Sequence, residues 1–270
     1  MIPISEQELQ LLHQYVYDHC GIALNKKKHL VEGRLNKLLS EAGFNSFSTY
    51  YNYLLNDKSG NVIKAVIDRI STNHTFFMRE NKHFSYFKDQ VLPHLKATVK
   101  NKDLRIWSAG CSSGEEAYTL AMIMADYFVE DKTVWDKRML ATDISNRALE
   151  KAKAGMYGTD EMNSLPGSWI LSYFNKVDTE KYQVNDKLKR DIIFRRFNLM
   201  DKEFPFKKKF HVIFCRNVMI YFDDATKKDL VKRFYDCTEP GGYLFIGHSE
   251  ALNRSETQYK YVMPAVYRKG

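Results

Sequence analysis

The sequence predicts an α/β protein: a doubly wound, mostly parallel sheet, preceded by a small all-helical domain and interrupted by a small antiparallel β insertion. Three observations carry this. Before residue 70, apolar residues recur at spacings of three and four, the period of a helix with one buried face. After residue 100, short apolar runs alternate with amphipathic stretches, as in successive βα units. Within that alternating part, the polar segment 171–184, LSYFNKVDTEKYQV, interrupts the pattern and alternates at short range, as strands of a small antiparallel sheet do. The domains are accordingly 1–75 and 76–270, with the insertion at about 156–191.

Ser5 and Glu8 have the spacing of a capping box and open a first helix marked by Leu9, Leu12 and Val16. Leu30, Leu35, Leu38 and Leu39 mark a second, and 46–55 and 61–70 supply two more, punctuated by Gly21, Gly43 and Gly60. STNHTFFMRE (71–80), small and polar and then aromatic, is the junction. Strands follow at 104–109, 138–142, 192–197, 210–214, 242–247 and 261–267, with helices at 115–128, 146–154 and 224–237.

With 270 residues, 44% apolar and 27% charged, the composition is that of a soluble globular chain. No apolar run approaches the ~20 residues that span a bilayer, and residues 1–10 have no basic n-region or apolar core, so a cytoplasmic location is expected and membrane insertion is not. Cys20, Cys111, Cys215 and Cys237 are scattered without ligand spacing, which argues for free thiols and against a metal site or a disulfide framework. The net charge of +8 suits a polyanionic partner, whether nucleic acid, membrane surface or acidic protein. Lys26, Lys27, Lys28, Arg34 and Lys37 cluster on or beside the second helix.

The segment 104–118, LRIWSAGCSSGEEAY, reads as strand, tight turn and helix, and Gly110 and Gly114 let the turn approach a ligand closely. Two carboxylates, Glu115 and Glu116, stand where a phosphate site would expose bare N–H groups or a Lys. A cationic group, such as the α-amino group of S-adenosylmethionine, is the better match. Asp143, at the end of the next strand, is placed to accept two ribose hydroxyls. The turn lacks GxGxxG spacing and Asp143 lies 29 residues past Gly114, which disfavours a nicotinamide dehydrogenase.

Four segments, STNHTFFMRE (71–80), WSAGCSSGEEAY (107–118), ATDIS (141–145) and FCRNVMIYFD (214–223), with GGYLFIGHSE (241–250) close behind, together resemble the chemotaxis receptor methyltransferases of CheR type. The resemblance covers roughly residues 5–268. It implies a sheet of the S-adenosylmethionine-dependent methyltransferase type with an antiparallel last strand. It also implies methyl transfer to glutamate side chains of chemoreceptors, with S-adenosylhomocysteine as product. Carried over, the cofactor contacts fall on Asn73, Thr75, Arg79, Glu116, Asp143, Asn198, Leu199, Arg216 and Asn217, and the catalytic positions on Arg79 and Tyr221. An Arg at the end of the apolar strand FHVIFC also calls for an anionic partner on physical grounds.

The family substrate is a long helical bundle bearing glutamates, so the basic cluster from Lys26 to Lys37 becomes a candidate docking surface. Members that also grip a receptor's C-terminal pentapeptide have a glycine-containing turn in the inserted hairpin. FNKVDTEKYQV (174–184) has none, which puts that tether in doubt. Two other readings stand beside this one. A nucleic-acid methyltransferase would suit the charge, but CRNVMIYF lacks the prolines that amino-group enzymes commonly carry there, so no nucleic-acid partner is expected. A non-catalytic docking module is the other, because fold alone does not prove activity.

Overall fold

Ser5 opens α1 (Glu6–Cys20) through a complete capping box: its hydroxyl accepts from Glu8 N, and the Glu8 carboxylate accepts from Ser5 N. The computed structural model describes residues 2–25, 27–131 and 135–270. Next come α2 (Lys28–Glu41), α3 (Phe47–Asn56) and α4 (Asn61–Ile70), and the four helices bury one face each into a core of their own that includes Val16, Leu35, Leu39 and Val66.

The expected basic docking cluster does not survive intact. Arg34 turns inward, and its Nη1 donates to the carbonyls of Ile70 (2.6 Å) and Ser71 (3.1 Å) and to Thr72 Oγ1 (3.0 Å). It caps the carboxyl end of α4, where the helix dipole favours a cation, and ties it to the junction. Lys28 pairs with Glu6 and Lys37 with Glu41 on the surface, and Lys26 lies outside the described residues. Replacing Arg34 with Ala is expected to lower stability by about 1.5–3 kcal/mol, the worth of hydrogen bonds from a charged donor. Urea unfolding measures this, and an unchanged midpoint would show that the cap carries no energy.

Beyond the junction, α5 (Lys82–Tyr86), a π turn (Phe87–Val91) and α6 (Leu92–Thr98) follow one another without a break. The alternating part comprises β1 (Ile106–Ala109), α7 (Glu115–Tyr127), β2 (Met139–Asp143) and α8 (Asn146–Ala154). After the insertion come β6 (Ile192–Arg196), β7 (Phe210–Cys215), α11 (Asp224–Asp236), β8 (Thr238–Ile246), β9 (Lys260–Met263) and β10 (Val266–Arg268). Among the described residues they form a seven-stranded sheet in the order β6-β2-β1-β7-β8-β10-β9, parallel except at the last two strands. The insertion holds β3 (Met156–Gly158), α9 (Gly167–Tyr173), β4 (Phe174–Lys176), β5 (Lys181–Val184) and α10 (Asp186–Lys189), with the three strands in an antiparallel sheet. The period-2 alternation of β7 fills two layers. Val212 and Phe214 pack with α5 to α7, while Ile213 and Cys215 pack with α11 and Trp107.

Three elements differ from expectation by more than one residue. β1 starts at Ile106 rather than 104, because the Arg105 N–H is taken by the His211 imidazole (3.0 Å) instead of a ladder partner. β8 starts at Thr238 rather than 242: EPGG reads as a turn but lies in the strand as a bulge, with Phe210 facing Thr238 and Val212 already facing Tyr243. The single strand expected over 261–267 is a hairpin, broken at Pro264 and Ala265, whose φ is 62°. Its second strand, β10, is the one that pairs antiparallel with β8. No helix among the described residues is long and apolar enough to cross a membrane.

Candidate active site

The sheet order reverses at β1, whose neighbours are β2 on one side and β7 on the other, and the crevice beyond their carboxyl ends is where such sheets hold ligands. A cleft occupies it, lined by Asn73, Thr75, Arg79, Glu116, Asp143, Asn198, Leu199, Arg216, Asn217 and Tyr221. Every candidate residue from the sequence therefore faces one cavity.

The first wall is the turn after β1. Gly110 N and Cys111 N both donate to Thr142 O, at 2.8 and 2.9 Å, binding the turn to β2. Gly110 has φ +99°, and a Cβ there would stand 2.4 Å from Val218 Cγ2, so the position needs glycine for both conformation and space. Asp143 closes β2. One of its oxygens accepts from Ser112 N (2.8 Å) and the other from Ser145 N (2.9 Å). Burial pushes its carboxyl above the usual range even though these backbone donors favour the anion.

The two adjacent carboxylates of α7 part company. Glu115 is buried away from the cleft and accepts from Ser113 Oγ at 2.9 and 2.7 Å, and burial raises its carboxyl. Glu116 lines the cleft. Its Oε1 accepts from Ser108 Oγ (2.7 Å) and its Oε2 from Arg216 Nη1 (3.0 Å). The anionic partner that Arg216 requires is thus supplied by the chain itself, through Glu116 and also Glu80, whose Oε2 lies 3.1 Å from Arg216 Nη2.

In the junction, Asn73 O accepts from Ser112 Oγ (2.9 Å), and Arg79 Nη1 donates to His74 O (2.8 Å). Met78 and Glu80 both adopt left-handed backbone, with φ of 59° and 57°. Such strain persists only where the surroundings over-determine it.

Three features lay outside the sequence reading. The helical domain forms part of the cavity wall through Cys20, Ile22, Leu24, Lys27 and Leu30, although the cofactor motifs lie in the other domain and the junction. Asn198 Nδ2, expected to face a ligand, donates to His19 O at 2.5 Å, and Lys27 Nζ stands 5.3 Å from the centre of the Tyr221 ring. Glu250 is the second. Nearly buried, it accepts from Gly247 N (2.5 Å), Asn217 N (3.0 Å) and Ile220 N (3.2 Å), holding Asn217 at φ 58°. The acid of GHSE was the available signal. The third is Glu80 with His83 and His248, whose ligand-type atoms lie within 4.8 Å of one another. Burial, the Arg216 guanidinium and His248 push the His83 imidazole down to about 4, so it is neutral. The Glu80 carboxylate is already occupied by a buried guanidinium, which would repel a dication at the same oxygen.

Two family models match the chain: the CheR methyltransferase all-alpha domain over residues 7–71 and the CheR methyltransferase SAM binding domain over residues 73–267. The chain belongs to the CheR methyltransferase family. It is similar to the chemotaxis protein methyltransferase of Borreliella burgdorferi, 44% identical over 99% of this chain and 96% of that one. Chemotaxis protein methyltransferase 1 of Pseudomonas aeruginosa is 35% identical over 96% of this chain and 95% of its own, and that of Escherichia coli 32% over 98% and 91%. Like them, this CheR-family chain is an S-adenosylmethionine-dependent methyltransferase of chemotaxis.

The cleft's donor set fits that cofactor. Asp143 at the strand end suits a ribose diol, and Glu116 with no Lys at the α7 N-terminus suits an ammonium rather than a phosphate chain. Positive φ at Gly110 lets the turn that lines the cleft lie against the ligand, whereas Gly114, also expected to approach it, packs inward against Ala152 and Tyr157.

Proposed function

We propose that the chain methylates glutamate side chains on the cytoplasmic helices of chemoreceptors, giving glutamyl methyl esters. The supporting observation is the single cleft that gathers all ten candidate residues, with Arg79 and Tyr221 on the same wall system as Glu116 and Asp143. In this reading Asp143 holds the ribose, Glu116 the α-amino group, and Asn198 and Leu199 the adenine. Asn73, Thr75, Arg79, Arg216 and Asn217 enclose the methionine end. The domains divide at 75/76, and the enzyme acts in the cytoplasm.

When bound, S-adenosylmethionine supplies an electrophilic methyl on a sulfonium. The acceptor carboxylate is already ionised at neutral pH, since its reference pKa is about 4.3, so the chain needs no general base. Arg79 and Tyr221 align the acceptor and exclude water around it, which is where most of the rate is gained. Neither His74 nor His248 is therefore needed as a base. Lys27 and Lys28, with Lys26 and Lys37, steer an acidic helical face toward the cleft, and recognition rests on the helical domain rather than on a peptide tether at the β4–β5 hairpin.

Incubation with methyl-labelled S-adenosylmethionine and either chemoreceptor-containing membranes or nucleic acid tests this. Alkali-labile label on receptor is the expected result, and stable label on nucleic acid would overturn it. With Arg79→Ala, kcat/KM on receptor is expected to fall roughly 100-fold or more, as loss of alignment does. Activity within threefold of wild type would remove Arg79 from the catalytic group.

A further inference from the structure

The antiparallel insertion stands behind two walls of the cleft. Tyr157, the middle residue of β3, is 1% exposed, and its hydroxyl donates to Ser113 O (2.6 Å) in the turn between β1 and α7. Burial, with Glu115 adding to it, raises the phenol well above its usual range, so the group is a neutral donor. The approach is close: a Cβ on Gly114 would stand 3.0 Å from the Tyr157 hydroxyl oxygen. Other parts of the turn are held from the sheet, Gly110 N and Cys111 N by Thr142 O and Ser112 N by Asp143. For Ser113 O it is the insertion that supplies the donor.

The same ring reaches the junction. The fully buried Phe77 ring meets Tyr157 edge-on, with centres 4.8 Å apart, and meets Phe174, the first residue of β4, at 5.9 Å. Ser164 Oγ, also in the insertion, donates to Phe77 O (2.7 Å). Phe76 and Arg79, on either side of Phe77 in sequence, line the cleft. One buried aromatic cluster therefore backs both the glycine turn and the junction, and Tyr157 is fixed in it by the pairing of β3 with β5, where it stands opposite Tyr182.

We propose that Tyr157 is a positioning residue for the cofactor cleft, through which the insertion braces the glycine turn and the junction in their binding geometry. The inference rests on the cofactor assignment above, and it gives the insertion a task independent of any peptide tether. Tyr157 does not line the cleft and acts through Ser113 and Phe77. Without its hydroxyl the Ser113 carbonyl loses that donor, the turn samples other conformations, and the arriving cofactor has to order it again. That ordering is subtracted from affinity. The loss therefore falls on Kd and on KM for the cofactor, while kcat at saturation stays within about twofold of wild type.

Calorimetric titration of the whole chain with S-adenosylmethionine and, separately, S-adenosylhomocysteine tests this in wild type, Tyr157→Phe and Tyr118→Phe, with melting curves to verify the fold. Both substitutions keep a buried ring and remove one hydroxyl. That of Tyr118 donates to Ala152 O (2.7 Å) near the end of α8, and its ring centre lies 6.1 Å from that of Tyr157, so it controls for a general loosening of the same cluster. Tyr157→Phe is expected to raise both Kd values about five- to tenfold, one hydrogen bond's worth of lost order, and Tyr118→Phe to leave them within about twofold. Ser164→Ala, at an exposed position, removes the bond to Phe77 O and should raise both about threefold, which decides the matter alone if Tyr157→Phe fails to fold. Unchanged values in Ser164→Ala would overturn the proposal. So would Tyr157→Phe values within about twofold of wild type, or an equal rise in Tyr118→Phe, which would leave Tyr157 a packing residue. A wild-type chain that binds neither ligand would instead overturn the cofactor assignment itself.

Discussion

Replacing Asp143 with Ala is expected to abolish S-adenosylmethionine binding at millimolar concentration and to lower stability by about 2–4 kcal/mol. The second figure follows from hydrogen bonds. Ser112 N and Ser145 N each lose their carboxylate acceptor, and a buried donor left without one costs about 1–3 kcal/mol. Relief of the carboxylate's own burial, visible in its raised pKa, offsets part of the sum. The damage also spreads. Ser145 caps α8 through Ala148 N and donates to Asp68 Oδ1 (2.7 Å) on α4, so the turn after β2 joins the two domains. Asn at 143 retains one acceptor and should lie between wild type and Ala. Urea unfolding and calorimetric titration read the two effects separately, and an Ala variant within about 0.5 kcal/mol of wild type would show that the carboxylate does not hold the turn.

Gly110→Ala should also be costly, for a reason confined to backbone and space. At φ +99° an L-residue is strained by about 1–3 kcal/mol, and the new Cβ meets Val218 Cγ2 at 2.4 Å. A loss of about 2–4 kcal/mol is expected, with a weakened cofactor affinity because the turn lines the cleft. The pair with Val218→Ala separates the two causes. Removing the methyl relieves the contact but leaves the dihedral strain, so the double variant should recover about 1 kcal/mol and no more. Full recovery would mean that only the contact mattered, and none would assign the whole loss to φ.

Much of this molecule was legible in its sequence because the signals are local. A capping box needs only Ser5 and Glu8 three residues apart, and the amphipathic period of α4 or the apolar run of β7 expresses burial that any partner face would satisfy. Site residues at the ends of β1, β2 and β7 were equally accessible, since a parallel doubly wound sheet collects strand ends at one edge whatever the loop details. Bulges and strand breaks were not. EPGG has the composition of a turn, and only pairing with Phe210 and Val212 turns it into a bulge inside β8. Pro264 and Ala265 likewise become a hairpin turn only because β8 and β9 stand on either side of β10.

Composition, helical period and the glycine turn with its acidic strand end were enough to determine a helical domain on an α/β nucleoside-cofactor fold, and the family resemblance marked ten residues that share one cleft. Where each charge is spent was decided in three dimensions. Arg34 looked like docking surface and became a helix cap, Glu115 turned away while its neighbour Glu116 stayed, and Arg216 found its anions in Glu116 and in Glu80, 136 positions away in sequence. A charged side chain reports its type to the sequence, but its partner lies wherever tertiary folding brings the nearest opposite charge or unpaired carbonyl. Burial then makes that encounter obligatory, because a lone buried charge is too costly to keep.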